Sequence, residues 1–157
     1  MTKPRVLLYE PIHEEGMRVL REHSEPYLAS AWDEDTIVRE AADADGMIIR
    51  AHGSVTGRIM DAAPRLRVIG RHGVGVDNVD VPAASERGIW VVNTPQAVTE
   101  PVAEHVVGMM ISLVKDFRNC DRQTRAGNWS FRDAVEGFNL CGKTLGVVGM
   151  GRIGYRT

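Results

Sequence analysis

Five short apolar runs in the front of the chain, each followed by a stretch of helical character, constrain the fold more than any other feature. They are Arg5-Val-Leu-Leu-Tyr9, Tyr27-Leu28, Met47-Ile-Ile49, Leu66-Arg-Val-Ile69 and Ile89-Trp-Val-Val92. Short runs that are apolar throughout, rather than alternating, suit strands buried on both faces of a parallel sheet. Between them, Ile12, Met17, Val19 and Leu20 recur at roughly helical spacing up to His23, and Glu34 to Ala44 has an acidic start and helical composition. Thr56 caps a helix that runs to Ala63 and stops at Pro64. Pro82 lies just inside a helix at Val81 to Arg87, and Gly88 follows at the position that favours a left-handed residue. Such alternation with short connections predicts a doubly wound α/β domain with helices on both sheet faces.

Pro95 breaks the rhythm, and the domain boundary is placed near Thr94 to Ala97, giving segments 1–95 and 96–157. Thr99-Glu-Pro-Val102 supplies a cap, an early acid and an early proline for a long helix reaching about Arg118. Its apolar residues include Val102, Val106, Met109, Leu113 and Phe117 on one side and Val107 and Ile111 on others, so burial on more than one face is expected. Isolated aromatics follow in Arg125-Ala-Gly-Asn-Trp-Ser-Phe131. The final stretch, Leu145 to Val148 and then Gly149-x-Gly151-x-x-Gly154, reads as a buried strand entering a tight turn and a helix N-terminus. That arrangement suits a dinucleotide pyrophosphate, with glycines allowing close backbone approach to unpaired N–H groups.

Net charge of −2 and a pI near 6.2 give no basic field for nucleic acid or anionic lipid. No stretch is long enough to span a bilayer and no leader segment is evident, so a cytoplasmic protein is expected. Cys120 and Cys141 are too few for a zinc site or a disulfide scaffold and are expected to be buried free thiols, with no metal site.

Candidate binding residues cluster after the third and fourth runs. Gly73 and Gly75, in Gly70-Arg-His-Gly-Val-Gly-Val-Asp-Asn78, permit N–H groups to approach a ligand at the carboxyl end of a parallel strand, or else only shape a turn. Arg50 ends the third strand, where its guanidinium can clamp a carboxylate or phosphate, a surface ion pair being the alternative. His52 and His72 read as loop histidines open to solvent or to a ligand. Glu104 and His105 are helix neighbours pointing about 100° apart, which argues against an acid–base pair.

Taken in order, Ala63 to Asp80, Glu86 to Pro95, Val102-Ala-Glu-His105 and Gly146 to Gly154 resemble the D-isomer-specific 2-hydroxyacid dehydrogenases, most of all the phosphoglycerate dehydrogenase and hydroxypyruvate reductase branch. The resemblance covers essentially the whole chain. It implies a flavodoxin-like substrate domain, then an inter-domain helix and the first strand of a truncated NAD-binding Rossmann domain, the domain that in the family also makes the dimer. Without the sheet it should cover, the long helix is expected to expose large apolar side chains and to drive a homodimer or swapped assembly through residues 99–140. It places Val74 and Gly75 on a substrate carboxylate through backbone N–H groups and Arg50 on the same small 2-hydroxy or 2-oxo acid. Gly149, Gly151, Arg152, Ile153 and Gly154 match the pyrophosphate loop for NAD, with NADP left open. Ala51 replaces a frequent serine and Val98 a common asparagine, leaving the substrate undetermined. The catalytic arginine, glutamate and histidine of the family correspond to positions beyond Thr157. No catalytic residue is therefore expected, and the chain by itself is expected to be an inactive front portion. Two alternatives stand: a non-catalytic flavodoxin-like binding module, and a subunit completed by another polypeptide.

Overall fold

A computed structural model describes residues 2–157, which form two compact units, one reaching Gln96 and one running Ala97–Thr157. In the first, strands β1 (Arg5–Leu8), β2 (Glu25–Leu28), β3 (Gly46–Ile49), β4 (Val68–Arg71) and β5 (Trp90–Asn93) alternate with helices α1 (Glu14–His23), α2 (Glu34–Glu40), α3 (Gly57–Ala62) and α4 (Val81–Glu86). All strand pairs are parallel, in the order β2-β1-β3-β4-β5. This is the flavodoxin-like order, in which the chain reverses its direction of travel between β1 and β3 and opens a crevice at their carboxyl ends.

Burial explains why the strands are apolar without alternation. Leu7 and Leu8 have no exposed surface and Tyr9 keeps 1%, so side chains on both faces of β1 are covered. Met47, Ile49 and Ile69 from the sheet join Ile37, Ile59 and Ala84 from the helices in one core. Each helix of this unit has a side-chain cap. Asp33 accepts from the Thr36 N–H, Thr56 from that of Ile59, Asp80 from that of Ala83, and His13 from that of Glu15. Gly88 takes φ +66° just past α4, as its place in the sequence requires.

Some boundaries differ from expectation. β4 begins at Val68 rather than Leu66, because Leu66 sits in a turn, its N–H donating to Ala63, and plugs the core instead. α2 ends at Glu40, and Ala44 closes a turn onto Ala41.

The second unit holds α5 (Thr99–Val114), α6 (Phe117–Arg125), a 3-10 turn at Trp129–Ala134 and α7 (Arg152–Arg156). The single long helix anticipated here is two helices, because Asp116 adopts φ +50°, a left-handed conformation that aspartate tolerates better than most residues. Thr99 lies inside α5, and the cap position falls to Val98, which offers no side-chain acceptor. Leu145–Val148 forms no strand, because a strand exists only against a neighbour and nothing among the described residues pairs with it. The cover that the apolar faces of α5 call for is not supplied within this unit, and its large apolar side chains are open as expected: Met109 is 53% exposed and Leu113 76%, and only Ala103 in this unit is buried. Cys120 is half-buried and Cys141 exposed rather than buried, since this unit offers no core to receive a thiol. Among the described residues, no helix is long and apolar enough to cross a membrane, and no cluster of side chains is arranged to hold a metal ion.

Candidate functional site

The parallel sheet brings the loops after β1, β3, β4 and β5 to one edge, with Ile49 in register with Arg71 and Arg71 with Asn93. At the β1/β3 crevice the dominant group is Glu10, which follows β1 and is only 6% exposed. Its carboxylate accepts from three consecutive backbone N–H groups, those of Arg50 at 3.0 Å, Ala51 at 2.9 Å and His52 at 3.0 Å. The His52 ring nitrogen Nδ1 lies 2.9 Å from the same carboxylate. Burial pushes the Glu10 pKa up, but the hydrogen bonds from Ala51, from the His52 ring and from the His52 and Arg50 N–H groups outweigh it, and the carboxyl is held below the usual range.

Behind this contact the His52 ring stacks on Trp32 at 4.2 Å between centroids, and the Trp32 indole N–H donates to the Tyr9 carbonyl at 2.8 Å. His52 is therefore a bonded and stacked residue of the loop rather than one that only faces solvent, although its side chain remains 58% exposed. Gly53 at φ +74° completes the turn, where a Cβ would lie 3.0 Å from the Trp32 carbonyl oxygen. Tyr9 spans the loop from below, its hydroxyl donating to the Ser54 carbonyl at 3.1 Å. Burial, reinforced by the charge of Glu34, raises its pKa and keeps that donor protonated.

Arg50 leaves this anchored loop with an exposed side chain. Its guanidinium donates to the Pro11 carbonyl at 3.4 Å, and no carboxylate among the described residues lies within ion-pair distance, so the surface ion pair does not form. The loop after β4 is tied in two directions. The Asn78 amide donates to the Arg50 carbonyl at 3.4 Å, and the Asn93 amide to the Val74 carbonyl at 2.7 Å. The Gly73 carbonyl accepts from the Thr94 N–H at 2.9 Å, with Gly73 itself at φ +150°. With the carbonyls engaged, the N–H groups of Val74 and Gly75 find no acceptor among the described residues. An exposed pair of successive N–H groups is an anion-receptive arrangement.

Sequence reasoning missed Glu10, Trp32 and Arg71. Arg71 ends β4 as Arg50 follows β3, so the rule that singled out Arg50 would have found it. Its Nε is shielded from solvent without a partner, one terminal nitrogen contacts the His72 carbonyl, and no carboxylate pairs with it. Arg71 borders a pocket of about 180 Å³ whose other walls include Ile12, Ile48, Val92, Asn93 and Thr94. Such a volume is below the usual range for drug-sized ligands and suits a molecule of a few carbons. His72 lies on the same rim and is exposed. Glu10 and Trp32 carried no local signal, since each is defined by a partner tens of residues away.

The second unit carries the glycine-rich turn. Gly149 adopts φ +101°, and a Cβ at Gly154 would strike the Gly149 carbonyl oxygen, so both positions require glycine. Gly151 is the cap residue of α7 and Arg152 and Ile153 begin it; the Gly151 carbonyl accepts from the Tyr155 N–H at 2.9 Å. The glycines thus make a close turn into a helix of five residues. Glu104 and His105, on α5, make no ion pair with each other.

Comparison with known proteins gives concordant results. The family model for the D-isomer specific 2-hydroxyacid dehydrogenase, catalytic domain, matches residues 6–150. The D-3-phosphoglycerate dehydrogenase of Methanocaldococcus jannaschii is 39% identical over 152 residues, covering 97% of this chain and 29% of that protein. The crystal structure of TT0316 protein from Thermus thermophilus superposes with a TM-score of 0.87 at 32% identity, covering 97% of this chain and 50% of that one. An NADPH-dependent glyoxylate/hydroxypyruvate reductase from Sinorhizobium meliloti, solved in complex with NADP and malonate, gives a TM-score of 0.81 at 31% identity, with 99% and 49% covered. The chain thus spans half or less of the length of each of these proteins.

Proposed function

The chain belongs to the D-isomer specific 2-hydroxyacid dehydrogenase family, and from that premise we propose that its first unit is the substrate-binding part of an oxidoreductase acting on a small 2-hydroxy or 2-oxo acid. The observation that carries this reading is the anion-receptive edge. Among the described residues, Val74 and Gly75 present N–H groups without an acceptor, and Arg50 presents a guanidinium without an acidic partner, from loops tied together by Asn78. Two backbone donors suit one carboxylate, and the guanidinium fork suits a second anionic group such as a phosphate. Ile12, Ile48 and Val92, beside Arg71 at the same sheet edge, offer apolar surface for the ligand's carbon chain.

In the second unit, Gly149, Gly151, Arg152, Ile153 and Gly154 would hold the pyrophosphate of NAD, whose nicotinamide supplies or accepts hydride at C2 of the acid. The residues of this chain bind and orient. The arginine, glutamate and histidine that act in the family correspond to positions beyond Thr157, so the 157 residues taken by themselves are proposed to lack turnover. Apolar side chains open along α5 support a homodimer through residues 99–140, read by light scattering, where a monomer at high concentration would exclude it. Two unpaired cysteines accord with a reducing, cytoplasmic setting.

The test combines binding and turnover. Titration with 3-phosphoglycerate should show binding that Arg50→Ala weakens by about tenfold or more, the effect of one charge-assisted hydrogen-bonding group. NADH oxidation with hydroxypyruvate by the purified chain should be undetectable, and a measurable rate would overturn the assignment of inactivity.

A further inference from the structure

We propose that Glu10 is a positioning residue for Arg50: its buried carboxylate gathers the N–H groups of residues 50–52 and fixes the strand end from which the guanidinium meets an anionic group of the substrate. The proposal rests on the reading above that Arg50 binds such a group. Three observations converge on it. Glu10 is a buried acid at the β1/β3 crevice, 6% exposed, and its oxygens take three consecutive N–H donors and a ring nitrogen between 2.9 and 3.0 Å. The Arg50 guanidinium contacts the carbonyl of Pro11, the residue next to Glu10, so backbone and side chain of Arg50 are both referred to the same dipeptide. The Trp32 stack on His52, with its indole bonded to Tyr9, braces the far side of the loop.

The chemistry also explains why a negative charge so near Arg50 does not capture it. The acceptor positions of Glu10 are filled by N–H groups, so no ion pair with the guanidinium forms and the cation stays available. A glutamine at this position would turn an NH₂ toward those same donors and let the loop shift.

A double-mutant cycle on the whole chain tests this, with 3-phosphoglycerate as probe in isothermal titration and thermal unfolding as the folding check. Glu10→Gln and Arg50→Ala are each expected to weaken binding about tenfold, and the double variant should bind no more weakly than Arg50→Ala alone. That non-additivity is a readout a purely structural role would not produce. If Glu10→Gln does not fold, Glu10→Asp, which keeps the charge but withdraws it by one methylene, replaces it in the cycle. Additive losses, or a folded Glu10 variant that binds as well as the parent, would overturn the positioning role while leaving the site intact. Absence of binding by the parent, or no effect of Arg50→Ala, would instead remove the substrate-site reading and this proposal with it.

Discussion

The two units of this chain use similar sequence material to different ends. The first unit closes a core around five parallel strands, with Leu7, Ile37, Ile49, Ile59 and Ile69 fully buried, and caps each of its helices with a side chain. The second unit forms helices just as readily, yet none of them has a side-chain cap and its large apolar residues stay open, Leu113 at 76% and Trp129 at 70%. Helical propensity and periodicity are local and are met in both. A core requires surfaces from several elements at once, and only the first unit gathers them.

The largest expected effect tests that contrast directly. Ile69→Ala, at a position with no exposed surface, should lower the unfolding free energy by about 2–5 kcal/mol. Leu113→Ala should change it by about 0.5 kcal/mol or less. Chemical denaturation reads both, and comparable losses would break the distinction between the units.

A smaller effect sharpens it within the first unit. At neutral pH, Glu10→Gln should cost about 1–3 kcal/mol, the range for disturbing a buried, charge-assisted set of hydrogen bonds. The sign with pH follows from the depressed folded pKa of Glu10. Its contribution is fully present above the unfolded glutamate value of about 4.3 and is lost as pH falls through the lower folded value. Stability measured from pH 6 downward should therefore fall more steeply in the parent than in Glu10→Gln; parallel curves would count against the assignment.

The smallest expected effect concerns capping. Asp80→Ala should cost about 1 kcal/mol by freeing the Ala83 N–H at the start of α4. Val98→Ala at the start of α5 removes no capping bond and should leave stability unchanged on that account. Equal responses at the two helix starts would mean that the caps of the first unit contribute nothing distinctive.

Much of the first unit was legible because its signals are short-range. Apolar runs marked the five strands, Thr56 and Gly88 marked helix ends, and Pro64 marked a stop. Boundaries slipped where a residue served the core without joining a ladder, as Leu66 does from its turn. For the candidate site, Arg50 and Gly75 were nominated because strand ends in parallel sheets collect ligand-binding groups, and Val74 by family resemblance; among the described residues Arg50 has no acidic partner and the Val74 and Gly75 N–H groups no acceptor. Arg71 obeyed the same rule and was overlooked. In the second unit the apolar character of Val107, Met109 and Ile111 was read correctly, but apolar character states only that a residue favours cover and not that this chain supplies it.

By itself the sequence determined the family, the alternation of strands with helices, and the glycine spacing of the final turn; the structure adds why Gly149 and Gly154 must be glycine, through a positive φ at the first and a carbonyl too close for any Cβ at the second. The tertiary structure alone decided what Glu10 does. Nothing adjacent to it in sequence distinguishes it from other acids. Its role arises when the β1/β3 pairing, Leu8 beside Ile48, brings three N–H groups from forty residues away around a carboxylate removed from water. Hydrogen bonds of that kind depend on burial and convergence together, and both are properties of the assembled sheet.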